Sequence, residues 1–142
     1  MSWPLQIAAW WTRWRSPKSL GYRGERAAEK FLRRCGYKIV GRGSRLPGGE
    51  LDLVAVDNRT VVFVEVKTRS SQQFGHPEEA VDENKQRRLT RAALAYLKRH
   101  GLLEYRSRFD VVAVDWPNRR QPPRIEHYKN AFEAIGSEGL FT

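Results

Sequence analysis

Apolar residues recur along this chain at two different spacings. Between residues 22 and 35, Ala27, Ala28, Phe31, Leu32 and Cys35 fall three and four apart, the stripe of an amphipathic helix, and Gly36 supplies its stop. From 83 to 100, Leu89, Ala92, Ala93, Tyr96 and Leu97 repeat the pattern, closed by Gly101. Other segments are short and rich in β-branched and aromatic residues. YKIVGR (37–42), residues 50–56, VVFVEVK (61–67), FDVVAVD (109–115) and RIEHY (124–128) predict strands. DNRT predicts a turn between the second and third of these, while GRGSRLPGG (41–49) and residues 68–80 read as loops. NAFEAI (130–135) reads as a short terminal helix. Helix, strand, hairpin, helix, strand, strand is the order of an α/β domain, a mixed sheet with helices on its faces.

Residues 1–20 stand apart. Trp3, Ile7, Trp10, Trp11 and Trp14 share one helical face, with Arg13, Arg15 and Lys18 beside them, and Pro17 and Gly21 mark the join to the domain. Such a segment can dock on its own domain, on a partner or second copy of the chain, or on a membrane interface, where Trp and basic residues are favoured. Docking or disorder is preferred here, because nothing else in the chain suggests a membrane role. The layout is therefore an N-terminal segment (1–20), a domain (21–135) and a C-terminal tail (136–142).

Composition narrows the partners. The chain has 142 residues, enough for one domain with a real core. Lys and Arg outnumber Asp and Glu by 26 to 16, a formal charge of +10, which favours a polyanion such as nucleic acid. The single cysteine, Cys35, excludes an intrachain disulfide and a cysteine-rich zinc site, and its place in FLRRCGYKIV suggests a buried or half-buried structural thiol. No stretch approaches a membrane span and the N-terminus lacks a signal-peptide layout, so a cytoplasmic location is expected.

The chemistry concentrates in GGELDLVAVDNRTVVFVEVKTR (48–69). If Asn58 and Arg59 form a two-residue loop, Asp57 pairs with Thr60, Asp52 lies opposite Glu65 and Glu50 opposite Lys67, so all four charges project from one face. A three-residue loop would instead send Glu65 to the other face. Facing carboxylates repel, and a hard divalent cation between Asp52 and Glu65 relieves the repulsion. The carbonyl of Val66 can supply a third oxygen, and Lys67 can orient water or stabilise transition-state charge. The basic residues Arg42, Arg45, Arg69, Lys85, Arg87, Arg88 and Arg91 are the candidate nucleic-acid contacts.

GYRGERAAEKFLRRCGYKIV, GGELDLVAVD and VVFVEVKTRS together resemble the YraN family of the PD-(D/E)XK nuclease-like superfamily, across roughly residues 21–135. The resemblance implies a restriction-endonuclease-like core in αβββαβ order, similar to that of archaeal Holliday junction resolvases. It places Asp52 at the superfamily's first Asp, Glu65 and Lys67 at the E-x-K positions, and Glu25 at the first-helix glutamate of resolvase-like members. Leu51 stands where many members have proline. The implied activity is a Mg²⁺- or Mn²⁺-dependent endonuclease acting on DNA in repair or recombination, with branched DNA as one substrate. Two other readings stay open, a nucleic-acid-binding protein that keeps the fold without turnover and a partner-binding protein that works through its Trp-rich segment. For Glu25, the alternative is a carboxylate favoured by a helix N-terminus. Gln86 either reaches the carboxylates, as a helix glutamine does in several relatives, or bonds to backbone at its helix start. Of the histidines, only His76 falls where it can approach the site.

Overall fold

The structure, a computed structural model, describes residues 19–70, 81–118 and 120–136. Residues 1–18, with the tryptophan stripe, lie outside this range, as do His76 and residues 137–142. The first helix, α1 (Leu20–Arg34), begins two residues earlier than its apolar stripe suggests. Ser19 caps it by accepting a hydrogen bond from the Tyr22 N–H at 3.1 Å. Glu25 therefore sits in the second turn, not the first, and helix-dipole stabilisation is a weak reason for its presence. Cys35 is the exposed C-cap of α1, which corrects the expectation of a buried thiol.

Five strands form one sheet in the order β1-β2-β3-β4-β5: β1 (Lys38–Leu46), β2 (Gly49–Asp57), β3 (Thr60–Arg69), β4 (Arg106–Asp115) and β5 (Arg124–Phe132). Helix α2 (Glu83–Arg99) crosses from β3 to β4, which run parallel, and every other neighbouring pair is antiparallel. This is the expected αβββαβ restriction-endonuclease-like core, mixed sheet and flanking helices, with a further strand on one edge.

Two segments differ from their sequence reading. The Gly- and Arg-rich stretch after Val40 is strand as far as Leu46, because Gly41, Ser44 and Leu46 are buried while Arg42 and Arg45 face solvent, and the whole stretch pairs with β2. The turn is confined to Pro47 and Gly48. Gly48 has φ +104, and a Cβ there would lie 2.9 Å from Arg91 Cβ and 3.0 Å from the Ala92 nitrogen, so only glycine lets this turn lie flat on α2. NAFEAI, read as a helix, instead extends β5 through Phe132. Asn130 takes a positive φ of 52° and donates its N–H to Asp110 Oδ1 at 2.9 Å, and Phe132 stacks on Phe109 with centroids 4.7 Å apart. These tertiary contacts outweigh the local helical pattern.

Apolar residues fill both faces of the sheet. On one side Leu89, Ala92, Ala93, Tyr96 and Leu97 of α2 pack on Val54, Phe63, Phe109 and Val111. On the other, Ala28 and Leu32 of α1 pack on Leu53, Val62, Val64, Val112 and Val114. Each fully buried Leu, Val or Phe among these contributes about 1.5–3 kcal/mol, and each Ala methyl about 0.8 kcal/mol. A polar clamp joins β4 to its neighbours on the α1 side. The fully buried Asp110 accepts from Arg108 Nε at 3.0 Å and from Asn130, and shares a 2.7 Å hydrogen bond with His127 Nε2. Arg108 also reaches the Tyr37 hydroxyl at 2.8 Å and Asp57 at 3.2 Å. Burial works against the Asp110 carboxylate, but the His127 and Arg108 bonds outweigh it and hold its pKa below the usual value.

Candidate active site

The hairpin register decides whether a site exists, and it follows from one turn. Asn58 adopts φ 56°, a left-handed conformation that asparagine tolerates better than most residues, and with Arg59 it forms the two-residue loop. Asp57 pairs with Thr60, and the register runs without a slip to Leu53 and Val64. One step further along lie Asp52 and Glu65. Both line a recess of about 260 Å³, together with Gly48, Gly49, Glu50, Lys85 and Arg88. The carboxylates thus gather on the α2 side of the sheet, as the two-residue loop requires.

Each carboxylate is held. Asp52 Oδ2 accepts the Val66 N–H at 2.9 Å, which fastens β2 to β3 beside Glu65. Glu65 is only 7% exposed. Its Oε1 lies 2.9 Å from the Lys85 ammonium and 4.0 Å from that of Lys67. Burial pushes the Lys67 pKa down and the nearby Lys85 ammonium adds to this, against the pull of Glu65 and Asp52. Burial also opposes charge on Lys85, but its hydrogen bond to Glu65 prevails and its pKa is raised. The result is a buried carboxylate between two ammonium groups, one of them readier than an ordinary lysine to release its proton.

Lys85, expected among the nucleic-acid contacts, also belongs to the carboxylate cluster, a place the sequence reading does not give it. The signal was available: Lys85 lies one helical turn before the buried Leu89, at four-residue spacing, so it opens the inward stripe of α2. Asp82 caps this helix by accepting the Lys85 N–H at 2.8 Å, which sets the side chain at the mouth of the recess. Gln86, one position on, donates its amide to the Val81 carbonyl at 2.7 Å, so the backbone-bonded alternative is the one found.

The other candidates divide. Arg88 lines the recess, and Arg91 is exposed on the next turn beside Gly48. Arg87 is exposed and pairs with Glu83 at 3.0 Å. Arg45 is exposed on β1 opposite Glu50, and Arg69 ends β3 half-buried opposite Asp115. Arg42 is committed elsewhere: it grips Glu29 of α1 through Nε and Nη2, the latter at 2.6 Å, while Arg33 holds the same carboxylate at 3.0 Å. These bonds, led by Arg42, keep the Glu29 pKa low despite burial. Glu29 is the second glutamate of GERAAE, and its position within a buried stripe marks it as needing such a partner. Glu25 does not line the recess. It is half-buried on α1, on the other face of the sheet, next to Gly24, which touches Thr68 of β3.

The oxygen ligands suit a hard divalent ion. Among the described residues no group of three or more His, Cys, Asp or Glu side chains is arranged to hold a metal. An ion here would rest on Asp52 and Glu65, add a backbone oxygen such as that of Val66, and keep several waters, which is the habit of Mg²⁺. Among the described residues no helix is long and apolar enough to cross a membrane.

Comparison with known sequences gives a consistent picture. The family model described as uncharacterised protein family UPF0102, the YraN family, matches residues 24–114. A UPF0102 protein of Rhodopirellula baltica is 51% identical over 125 residues, spanning 86% of this chain and 75% of the relative. Others from Geobacter sulfurreducens and Desulfosudis oleivorans are 50% and 46% identical over 116 and 114 residues, covering 90% and 89% of those proteins.

Proposed function

The chain belongs to the UPF0102 family, and from the geometry of its recess we propose that it is a divalent-metal-dependent endonuclease of PD-(D/E)XK type that hydrolyses DNA in repair or recombination. The observation that carries this reading is the meeting of Asp52, Glu65 and Lys67 at one end of the β2–β3 hairpin, on the face covered by α2. Asp52, Glu65 and the Val66 carbonyl would hold Mg²⁺ or Mn²⁺, which when bound polarises the scissile phosphate and lowers the pKa of a water. The chain's own contributions follow from the contacts. The Val66 N–H fixes Asp52, so its carboxylate is in place before substrate arrives. The Lys67 ammonium stands 4.0 Å from Glu65, where it can hold a phosphate oxygen or the attacking water. Its lowered pKa eases proton exchange with that water. Hydrolysis joins the water oxygen to phosphorus and breaks one phosphorus–oxygen bond to sugar, and Arg88 at the rim offers a further cation for the flanking backbone.

One observation favours the second reading, a nucleic-acid-binding protein without turnover. Lys85 already pairs with Glu65 at 2.9 Å, so the buried carboxylate has a cation from the chain itself. A cleavage screen with Mg²⁺ and Mn²⁺ over duplex, single-stranded, flap and four-way DNA separates the two. Metal-dependent nicking of any of these supports the nuclease. Tight binding of all with no cleavage gives the second reading precedence.

A further inference from the structure

The larger recess lies on the other side of the molecule, against α1. Its volume is about 390 Å³, in the range of small-ligand sites. One wall is a row of cations, Arg23, Arg26, Lys30 and Arg34, spaced three, four and four residues apart on one face of α1. The row advances about 16 Å along the helix axis. The other wall is apolar, built from Trp116 beyond the end of β4 and from Pro122, Pro123 and Ile125 before and within β5, with Tyr22 at the helix start. Trp116 is buried and forms the floor, its ring covered by Arg23 with 4.9 Å from guanidinium carbon to centroid. Arg26, Lys30, Arg34 and Pro122 are exposed. No acidic side chain of the described residues lines the groove, and among the described residues Arg26, Lys30 and Arg34 have no carboxylate partner.

We infer that this groove is a second nucleic-acid-binding surface, one that takes a single strand: phosphates along the α1 cations, a base against the accessible wall of Tyr22, Pro122 and Ile125. A cation row next to an aromatic and apolar slot is what an unpaired strand requires, because its bases are free to leave the stack, whereas a duplex presents only phosphate and groove edges. Charge decides between occupants. The chain's own N-terminal segment carries Arg13, Arg15 and Lys18, and no acidic residue precedes Glu25, so seating it here would place cations against cations. A polyanion neutralises both. The groove and the carboxylate recess lie against helices on opposite faces of the sheet, so a strand held by α1 is not the stretch presented to Asp52 and Glu65. Its occupant would be an unpaired arm of the same DNA, which makes substrates with a duplex–single-strand junction the preferred class. This last step rests on the nuclease reading; binding at the groove does not.

The test is fluorescence anisotropy with a labelled oligo-dT of about 12 nucleotides, within the site sizes of single-strand binders, in EDTA so that cleavage plays no part. Arg26→Glu/Lys30→Glu should weaken binding at least tenfold and lower the salt slope by about 1.4, the release expected from two phosphate contacts on a single strand. Charge reversal of Arg87 and Arg91 on α2 should have a smaller effect on oligo-dT. Matching melting curves confirm that the α1 variant is folded, and Arg26→Gln/Lys30→Gln provides a milder second version. Wild-type oligo-dT affinity and slope in both α1 variants would overturn the inference, as would loss of binding to phosphatidylserine vesicles without loss on DNA. A wild-type protein that binds oligo-dT through Arg26 and Lys30 but cuts nothing would overturn the nuclease reading and leave the groove intact.

Discussion

Replacing Lys85 with methionine keeps the stem of the side chain and removes the charge nearest Glu65. At an effective dielectric constant near 20, a 2.9 Å pair attracts by about 6 kcal/mol and the 4.0 Å Lys67 pair by about 4 kcal/mol. Most of this is offset by desolvation of Glu65 and by repulsion between the two lysines. Removing one partner of a fully buried pair costs about 3–5 kcal/mol. The Lys85 side chain is 34% exposed, so water screens the pair and about 1–3 kcal/mol is the expected loss. For a chain of this length that lowers Tm by about 3–10 °C. The variant also discriminates a metal site from a simple ion pair. A divalent ion at ten times its Kd stabilises the native state by about 1.4 kcal/mol, and in the wild type it must compete with the ammonium. Scanning calorimetry of both proteins with and without Mn²⁺ should show a lower Tm for Lys85→Met without metal and a larger rise with it. A metal-free Tm within about 1 °C of wild type, or a larger Mn²⁺ effect in the wild type, would refute this account of the recess.

Three further outcomes concern the frame around the site. Asp110→Ala should cost about 2–4 kcal/mol in urea unfolding, because it removes the fully buried carboxylate that Arg108, His127 and the Asn130 N–H share, while Arg108 keeps Asp57; a loss below about 1 kcal/mol would show that the clamp is dispensable. Asp110 and Glu29 both have folded-state pKa values below their ordinary ones, so their contribution is complete above about pH 5 and disappears as pH falls through the lower folded values. The urea midpoint should therefore drop on acidification below about pH 5, with a shallower slope in Asp110→Asn, and equal slopes would assign the acid sensitivity elsewhere. Gly24→Ala would set a Cβ 1.8 Å from Thr68 Oγ1 and should destabilise by about 1–3 kcal/mol, whereas an unchanged midpoint would mean that α1 shifts freely on β3.

The hairpin was legible because strand periodicity is two and the turn chemistry is local: with Asn58 and Arg59 as the loop, the side on which Asp52 and Glu65 emerge has no freedom left. Both helices were legible from their stripes, to within two residues at their ends. The partners of the cations were not. Arg42, Lys85 and Arg88 look alike in sequence, yet one binds Glu29, one binds Glu65 and one lines the open recess. Such distinctions depend on which helix passes over which strand. The strand identity of Asn130–Phe132 was hidden for the same reason, since it rests on Asp110 and Phe109, some twenty residues away. Residues 41–48 misled through their glycines, which read as loop: Gly41 follows a bulge within β1, and Gly48 makes the flat turn after it.

The most direct measurement is single-turnover cleavage in Mn²⁺ of the best substrate from the screen, by wild type, Asp52→Asn, Glu65→Gln and Lys67→Ala, with binding of the same DNA followed in Ca²⁺. The nuclease account expects wild-type cleavage, a loss of about 10²-fold or more in each variant, and affinities within about threefold of wild type, because phosphate contacts elsewhere carry the binding. Cleavage that persists in both Asp52→Asn and Glu65→Gln, or a wild type that binds every DNA and cuts none, would contradict it.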